Sequence, residues 1–348
     1  MERMHCLASY NMNDLIKIIE ELGEKKFRAK QIYDWLHVKN VTDFSQMKNI
    51  SGALIEKLKA EYIIGFPTVL EKYESKLDGT CKYLFRLYDG NIIESVLMKY
   101  NHGNSVCISS QVGCRMGCRF CASTLDGLER NLEPAEMLGQ IYMIQKDCGE
   151  RVSNVVVMGS GEPLDNYETL IDFVKMLTDE NGINISQRNL TVSTCGLVPK
   201  IMELANEKFT MTLAISLHAP EDEMRKKIMP IANKYSIEEI MKACRYYYDM
   251  TGRRISFEYS LIKDNNDSEE CAIKLAKLLS GMNCHVNLIP VNPIKERDYQ
   301  HSDRKYILKF KNLLEKNKIN VTIRREMGAD INAACGQLRK SYIEKNEA

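Results

Sequence analysis

The sequence predicts an α/β protein, a partial (β/α)6 TIM-like barrel preceded by a small helical domain. Three observations carry this. Residues 11–64 show helical apolar periodicity, residues 81–98 read as a β-hairpin, and from about residue 105 strand-like and helix-like runs alternate.

In the first segment Leu15, Ile18, Ile19 and Leu22 fall at i, i+3, i+4 and i+7. They make one apolar stripe, which Asn11 or Asn13 can cap and Gly23 can end. A second helix, over about 28–37, buries Ala29, Ile32, Tyr33 and Leu36. Lys25, Lys26, Arg28 and Lys30 at its entry suit a nucleic-acid module. Residues 1–75 nevertheless carry 11 basic and 11 acidic side chains, which favours a plain helical domain. Gly65-Phe66-Pro67 reads as a linker. Residues 81–88 and 92–98 are strand-like, with Asp89-Gly90-Asn91 as the turn. The strand-like runs that follow are 106–109, 154–158, 189–193, 211–217, 255–262, 286–290 and 319–323. Helical stretches such as 134–145, 168–177, 237–250 and 269–279 separate most of them. About six such units make an incomplete barrel, with the active site at the strand ends. The predicted division is 1–75 for the helical domain and 76–348 for the barrel with its hairpin extension.

Composition narrows the function classes. The first ten residues hold no apolar signal region, and no run reaches the ~18 apolar residues of a membrane span. The expectation is a cytoplasmic protein without membrane contact. Twelve cysteines in 348 residues are many for such a chain. A disulfide framework belongs to short secreted chains, so metal binding or catalysis is the better reading for some of them. A net charge of +1 gives no bulk attraction to nucleic acid, though a local patch can serve.

Cys114, Cys118 and Cys121 stand in a C-x3-C-x2-C spacing. Thiolates are the ligands of a 4Fe-4S cluster. Three on one loop hold three irons and leave the fourth open. Gly117 lets the chain wrap closely. Half a zinc site is the competing reading, but no partner pair lies nearby.

This spacing, with Phe120 before the last cysteine, resembles the signature of the radical S-adenosylmethionine superfamily. Further motifs extend the resemblance over about residues 11–340. They are Phe27 to Trp35, Cys107 to Gly113, Arg130-Asn131-Leu132, Met158 to Leu164, Ser193-Thr194, Ser216-Leu217-His218, Arg225-Lys226 and Ala333 to Leu338. Together they resemble the RlmN family of RNA methyltransferases. That family methylates carbon 2 of an adenosine in the peptidyl-transferase centre of 23S rRNA, and of an adenosine beside the anticodon of some tRNAs.

The resemblance implies two cofactors, the 4Fe-4S cluster and S-adenosyl-L-methionine. It also implies an external one-electron donor such as flavodoxin, and a monomer. Cys335 matches the methyl-accepting cysteine and Cys107 the one that resolves the RNA–protein adduct through a transient disulfide bond. Glu94 matches the proton acceptor. Gly161, Glu162, Ser193, Ser216, Leu217, His218 and Asn292 match cofactor-contacting positions. Read without the family, Cys335 and Cys107 would be buried thiols, Glu94 a solvent-facing strand residue, and Gly159 to Glu162 a strand-end turn. Two rival functions stay open: methylation of carbon 8 of the same rRNA adenosine, as in the related Cfr, and a non-catalytic iron–sulfur protein that binds RNA. Arg253, Arg254, Arg324 and Arg325 are candidate phosphate contacts.

Overall fold

The computed structural model describes residues 5–294, 296–334 and 336–337. Strand β1 (His5–Cys6) opens the chain and pairs in parallel with β2 (Tyr62–Ile63). Between them lie α1 (Met12–Glu21), α2 (Phe27–His37) and α3 (Gly52–Glu61). Asn11 is the cap of α1, accepting from the backbone N–H groups of Asn13 and Asp14. The predicted stripe is real: Leu15, Ile18 and Ile19 are buried with Ala29, Ile32, Tyr33 and Leu36.

The chain then enters one ten-stranded sheet. Strands β3 (Thr68–Glu74), β4 (Cys81–Arg86) and β5 (Ile92–Tyr100) form an antiparallel meander. The first of these lies before residue 75, in the stretch assigned from sequence to the helical domain. Strand β6 (Gly103–Ile108) pairs antiparallel with β5 and begins the barrel. A short ribbon of β7 (Gln111–Gly113) and β8 (Leu128–Asn131) follows, then α4 (Pro134–Cys148).

From here strand and helix alternate as predicted: β9 (Val152–Val157), α5 (Tyr167–Leu177), β10 (Leu190–Thr194), α6 (Val198–Asn206) and β11 (Thr212–Ser216). Helices α7 (Asp222–Ile228) and α8 (Ile237–Thr251) lead to β12 (Ile255–Leu261). Then come α9 (Glu269–Leu279), β13 (Cys284–Pro290), α10 (Arg304–Lys316) and β14 (Asn320–Ile323).

The sheet order is β14-β13-β12-β11-β10-β9-β6-β5-β4-β3. Strands β6 and β9 to β14 are all parallel neighbours, giving six βα units and a closing strand. Crossover helices shield the outer face of this sheet; every residue of β12 is buried, with Ser256, Glu258 and Ser260 alternating with the apolar side chains. One large core runs through it, from Phe85 and Val106 to Phe257 and Phe310. No helix among the described residues is long and apolar enough to cross a membrane.

The helical unit is fastened to the barrel by a buried aromatic group. Tyr33 Oη donates to Asp179 at 2.8 Å, and His37 Nδ1 lies 3.1 Å from Tyr142 Oη. Phe66 meets Tyr142 edge-on with ring centroids 5.3 Å apart.

Candidate functional site

The cysteine loop hangs from the C-terminal end of β6, closed at its base by the β7–β8 ribbon. Cys114 N–H donates to Gly127 O, and the Thr124 hydroxyl donates to the carbonyls of Cys118 and Cys121. Gly117 has φ +71°, as its place in a tight wrap required. Gly113, at φ +73°, lies so close to the Gly127 carbonyl that a Cβ there would overlap it. All three cysteines face a cleft at the strand ends. Burial pushes the Cys114 thiol up to about 12, and the Cys118 thiol well above its ordinary range. Among the described residues no three His, Cys, Asp or Glu side chains converge on a single metal ion. A multi-iron cluster spreads its thiolates over several irons, so the trio suits a cluster better than a lone zinc.

Across the cleft, β9 ends in Gly159 to Glu162. Gly161 has φ +111°, and a Cβ on it would come 2.7 Å from Gln111 Cβ. Glu162 is buried and accepts from two backbone N–H groups, Leu164 (3.0 Å) and Cys195 (2.7 Å). Burial raises its carboxyl pKa, while those N–H groups pull the other way. Gln111 braces the turn, accepting from Glu162 N–H and donating to Asn131 and Asp165.

The ends of β10, β11 and β13 supply the next wall. Ser193 Oγ and Ser216 Oγ are 3.4 Å apart, and Asn292 lines the same cleft. His218 sits at φ +55° with its ring edge-on to Phe120. Its Nδ1 accepts from Ser260 N–H at 2.8 Å, which leaves the proton on Nε2. Burial lowers its pKa to about 3, so the ring is neutral. Leu217 differs from its neighbours. Its side chain is fully buried in the main core, its N–H donates to Glu258 O, and its carbonyl accepts from Arg225. Its neighbours face the cleft and it does not.

A second, smaller cavity adjoins the first. Cys107, on β6, lines it with Met98, Met158, Arg325, Met327 and Ala334. Arg324 and Asn292 line both cavities. Cys335 lies outside the described residues. Its described neighbours fall on either side: Ala334 lines the Cys107 cavity, while Gly336 lines the larger cleft and its carbonyl accepts from Ala122 N–H.

Glu94 is not solvent-facing. It is 1% exposed, with Lys82 Nζ 3.6 Å from its carboxylate. It lines a third pocket that backs onto the cysteine loop through Ala122 and shares Ser123 with the main cleft. Arg253 and Arg254 precede β12, at the barrel end opposite the cleft, and Arg253 donates to Thr212. They are poorly placed as contacts for a substrate in the cleft.

Sequence reasoning missed Glu258. It lies on β12 in register with Ser216, nearly inaccessible, its Oε1 accepting from Asn287 at 2.9 Å. Its Oε2 has no hydrogen-bond donor among the described residues and lies 3.8 Å from Arg324. Burial raises its pKa. Its place in the strand-like run Ile255–Leu261, alternating with Ile255, Phe257, Tyr259 and Leu261, was the available signal.

Comparison with known proteins agrees with this geometry. Residues 108–276 match the radical SAM superfamily model, and residues 6–64 match the ribosomal RNA large subunit methyltransferase N-terminal domain. A probable dual-specificity RNA methyltransferase RlmN of Lachnospira eligens is 66% identical over 98% of this chain and 97% of its own length. The protein of the same name from Lachnoclostridium phytofermentans is 63% identical over 97% of this chain and 95% of its own. The chain belongs to the RlmN family of radical SAM RNA methyltransferases. A radical SAM methyltransferase of Sphaerobacter thermophilus has the same architecture, with a TM-score of 0.92 at 40% identity over 97% of this chain and 100% of that one. An RlmN-family enzyme uses a 4Fe-4S cluster and S-adenosylmethionine, and the residues present fit both. Three thiols stand at one end of the cleft, and the buried carboxylates of Glu162 and Glu258, Arg324, neutral hydrogen-bonding groups and apolar side chains line the rest.

Proposed function

We propose that this enzyme methylates carbon 2 of an adenosine in 23S rRNA and in tRNA, through a methylated Cys335. The observation that carries the reading is the adjacency of two cavities. One is lined by the cysteine trio and the other by Cys107, and the residues flanking Cys335 reach both. Carbon 2 of adenine is an sp2 carbon without a usable lone pair, so simple displacement on a sulfonium methyl group cannot serve. When bound, the cluster and S-adenosylmethionine supply a methyl group and a hydrogen-abstracting radical.

In this reading Cys114, Cys118 and Cys121 hold the cluster. Glu162 and the Gly161 backbone receive the amino group of the cofactor, and Ser193, Ser216, His218 and Asn292 its remaining polar groups. The neutral His218 ring can donate from Nε2 without adding charge. Cys335 takes the methyl group on sulfur and, after loss of one hydrogen atom, adds through that carbon to the base. Glu94 would take the proton from carbon 2, and the electron lost from the adduct with it is one that the oxidised cluster, when bound, could accept. The Cys107 thiolate then attacks the Cys335 sulfur. The sulfur–carbon bond breaks, the carbon gains a proton, and a Cys107–Cys335 disulfide remains for an external reductant. Such a transient disulfide suits a reducing, cytoplasmic setting.

The helical unit and its basic entry at Lys25, Lys26, Arg28 and Lys30 form an accessory RNA-binding domain, which we end near Gly65 because β3 already pairs in the sheet. The chain works as a monomer with a flavodoxin-type electron donor. Incubating reconstituted enzyme with 23S rRNA and tRNA fragments and mapping the methylated nucleoside tests the proposal. The expected product is 2-methyladenosine in both RNAs. An 8-methyl product, or none alongside normal cofactor cleavage, would overturn it.

A further inference from the structure

Arg225 is the largest side chain in the described structure that is fully closed to solvent. Its hydrogen bonds go only to backbone carbonyls: Nε to Leu217 O at 3.1 Å, and one terminal nitrogen to Cys195 O at 2.6 Å and Ser216 O at 3.3 Å. The other terminal nitrogen has no partner among the described residues. No carboxylate is among its hydrogen-bond acceptors.

A buried cation with no carboxylate hydrogen-bonded to it is destabilising unless another negative charge stands close by. Its hydrogen bonds meet carbonyl dipoles only, and the charges that act on it are the thiols of Cys195 and Cys118 first and the Asp222 carboxylate after them. What lies beside it is the cysteine loop. The end of α7 docks there through Arg119 N–H donating to Ile228 O at 2.9 Å, and Cys195, Ile228 and Met229 pack against Met116, Cys118 and Phe120. Arg225 therefore stands directly behind the wall that carries Cys118, at the ends of β10 and β11. Once three thiolates hold a 4Fe-4S cluster, that wall becomes net negative, and more so after reduction.

We propose that Arg225 is the counter-cation of the cluster, a positioning residue that favours the reduced state and so raises the reduction potential. The proposal rests on the reading that Cys114, Cys118 and Cys121 hold the cluster. A point charge in a low-dielectric wall acts strongly on a neighbouring charge change.

The test is a redox titration of the anaerobically reconstituted enzyme, followed by electron paramagnetic resonance with no RNA present. Arg225→Lys keeps the charge, and Arg225→Gln removes it while keeping donors for the carbonyls. The midpoint of the Gln variant is expected to move negative and that of the Lys variant to stay near the unaltered protein. A Gln variant that cannot be loaded, beside a Lys variant that loads and keeps its midpoint, supports the same conclusion. An unchanged midpoint in the Gln variant, an equal shift in both, or loss of the cluster in both overturns it. Failure of the underlying cluster reading is separate, since the unaltered protein would then bind no iron.

Discussion

The Ser75 hydroxyl donates to Asp330 Oδ1 at 2.6 Å, across 255 residues of chain. Lys76 N–H donates to the other oxygen at 3.0 Å, and Asp78 Oδ2 accepts from Gly328 N–H at 3.0 Å. The turn between β3 and β4 thereby holds the segment that leads to Cys335. Lys82 adds a bond to Asn332 O, while its ammonium also faces Glu94. In the proposed mechanism this segment must present Cys335 to the base and then to Cys107.

Asp330→Ala should loosen the segment without touching the cleft. Misplacement of reacting groups by about 1 Å costs up to ~100-fold in rate. RNA methylation should fall by roughly tenfold or more while 5′-deoxyadenosine formation persists, so the ratio of deoxyadenosine to methylated base rises. Asp330→Asn, which keeps one acceptor, should recover part of the loss. A parallel fall in both products would argue against this role.

Gly161→Ala probes the cofactor turn. At φ +111° an alanine is strained, and its Cβ would sit 2.7 Å from Gln111 Cβ and from Ser110 Oγ. A strained position of this kind costs about 1–3 kcal/mol. The variant should melt earlier and bind S-adenosylmethionine at least tenfold more weakly in equilibrium dialysis. Unchanged binding would show that the turn has more room than its contacts indicate.

Glu162→Gln tests an accepting role. Both carboxylate oxygens of Glu162 receive backbone N–H groups, so one face of the new amide would point a donor at a donor. A buried donor left unsatisfied costs about 1–3 kcal/mol. The expected outcome is weaker cofactor binding with cluster content retained, read from iron content and dialysis on one sample. Wild-type affinity would mean that the carboxylate is purely structural.

Much of this was legible in the sequence because it is local. Cys114, Cys118 and Cys121 lie within eight residues. The parallel strands announced themselves as strand-like runs that alternate with helical stretches. Strand β3 was missed because Thr68–Glu74 is an edge strand exposed along most of its length, with little apolar signal. Glu258 and Arg225 were passed over as bearers of function because a charged side chain is normally solvated. Only the fold reveals that these two are buried. Leu217 matches a cofactor-contacting position of the family, and since successive residues at a strand end point opposite ways its side chain lies on the core side. The Ser75–Asp330 bond joins chain ends that no local pattern relates.

His37 and His218 each make the fold sensitive to acid. Burial lowers each pKa from 6.5 to about 3 in the folded chain. Between these values the unfolded chain binds protons that the folded chain refuses, so stability is lost as pH falls from about 6.5 toward 3. Each such histidine contributes up to about 1.4 kcal/mol per pH unit in that window. His37 lies against Tyr142 with Nε2 unpartnered among the described residues, far from the cleft. His37→Phe keeps a ring of similar shape there and removes the proton site. The melting temperature of the variant should therefore fall less between pH 7 and pH 5 than that of the unaltered protein, with cofactor binding the same in both. An equal fall in the two proteins would show that His37 is protonated in the folded state, contrary to its burial.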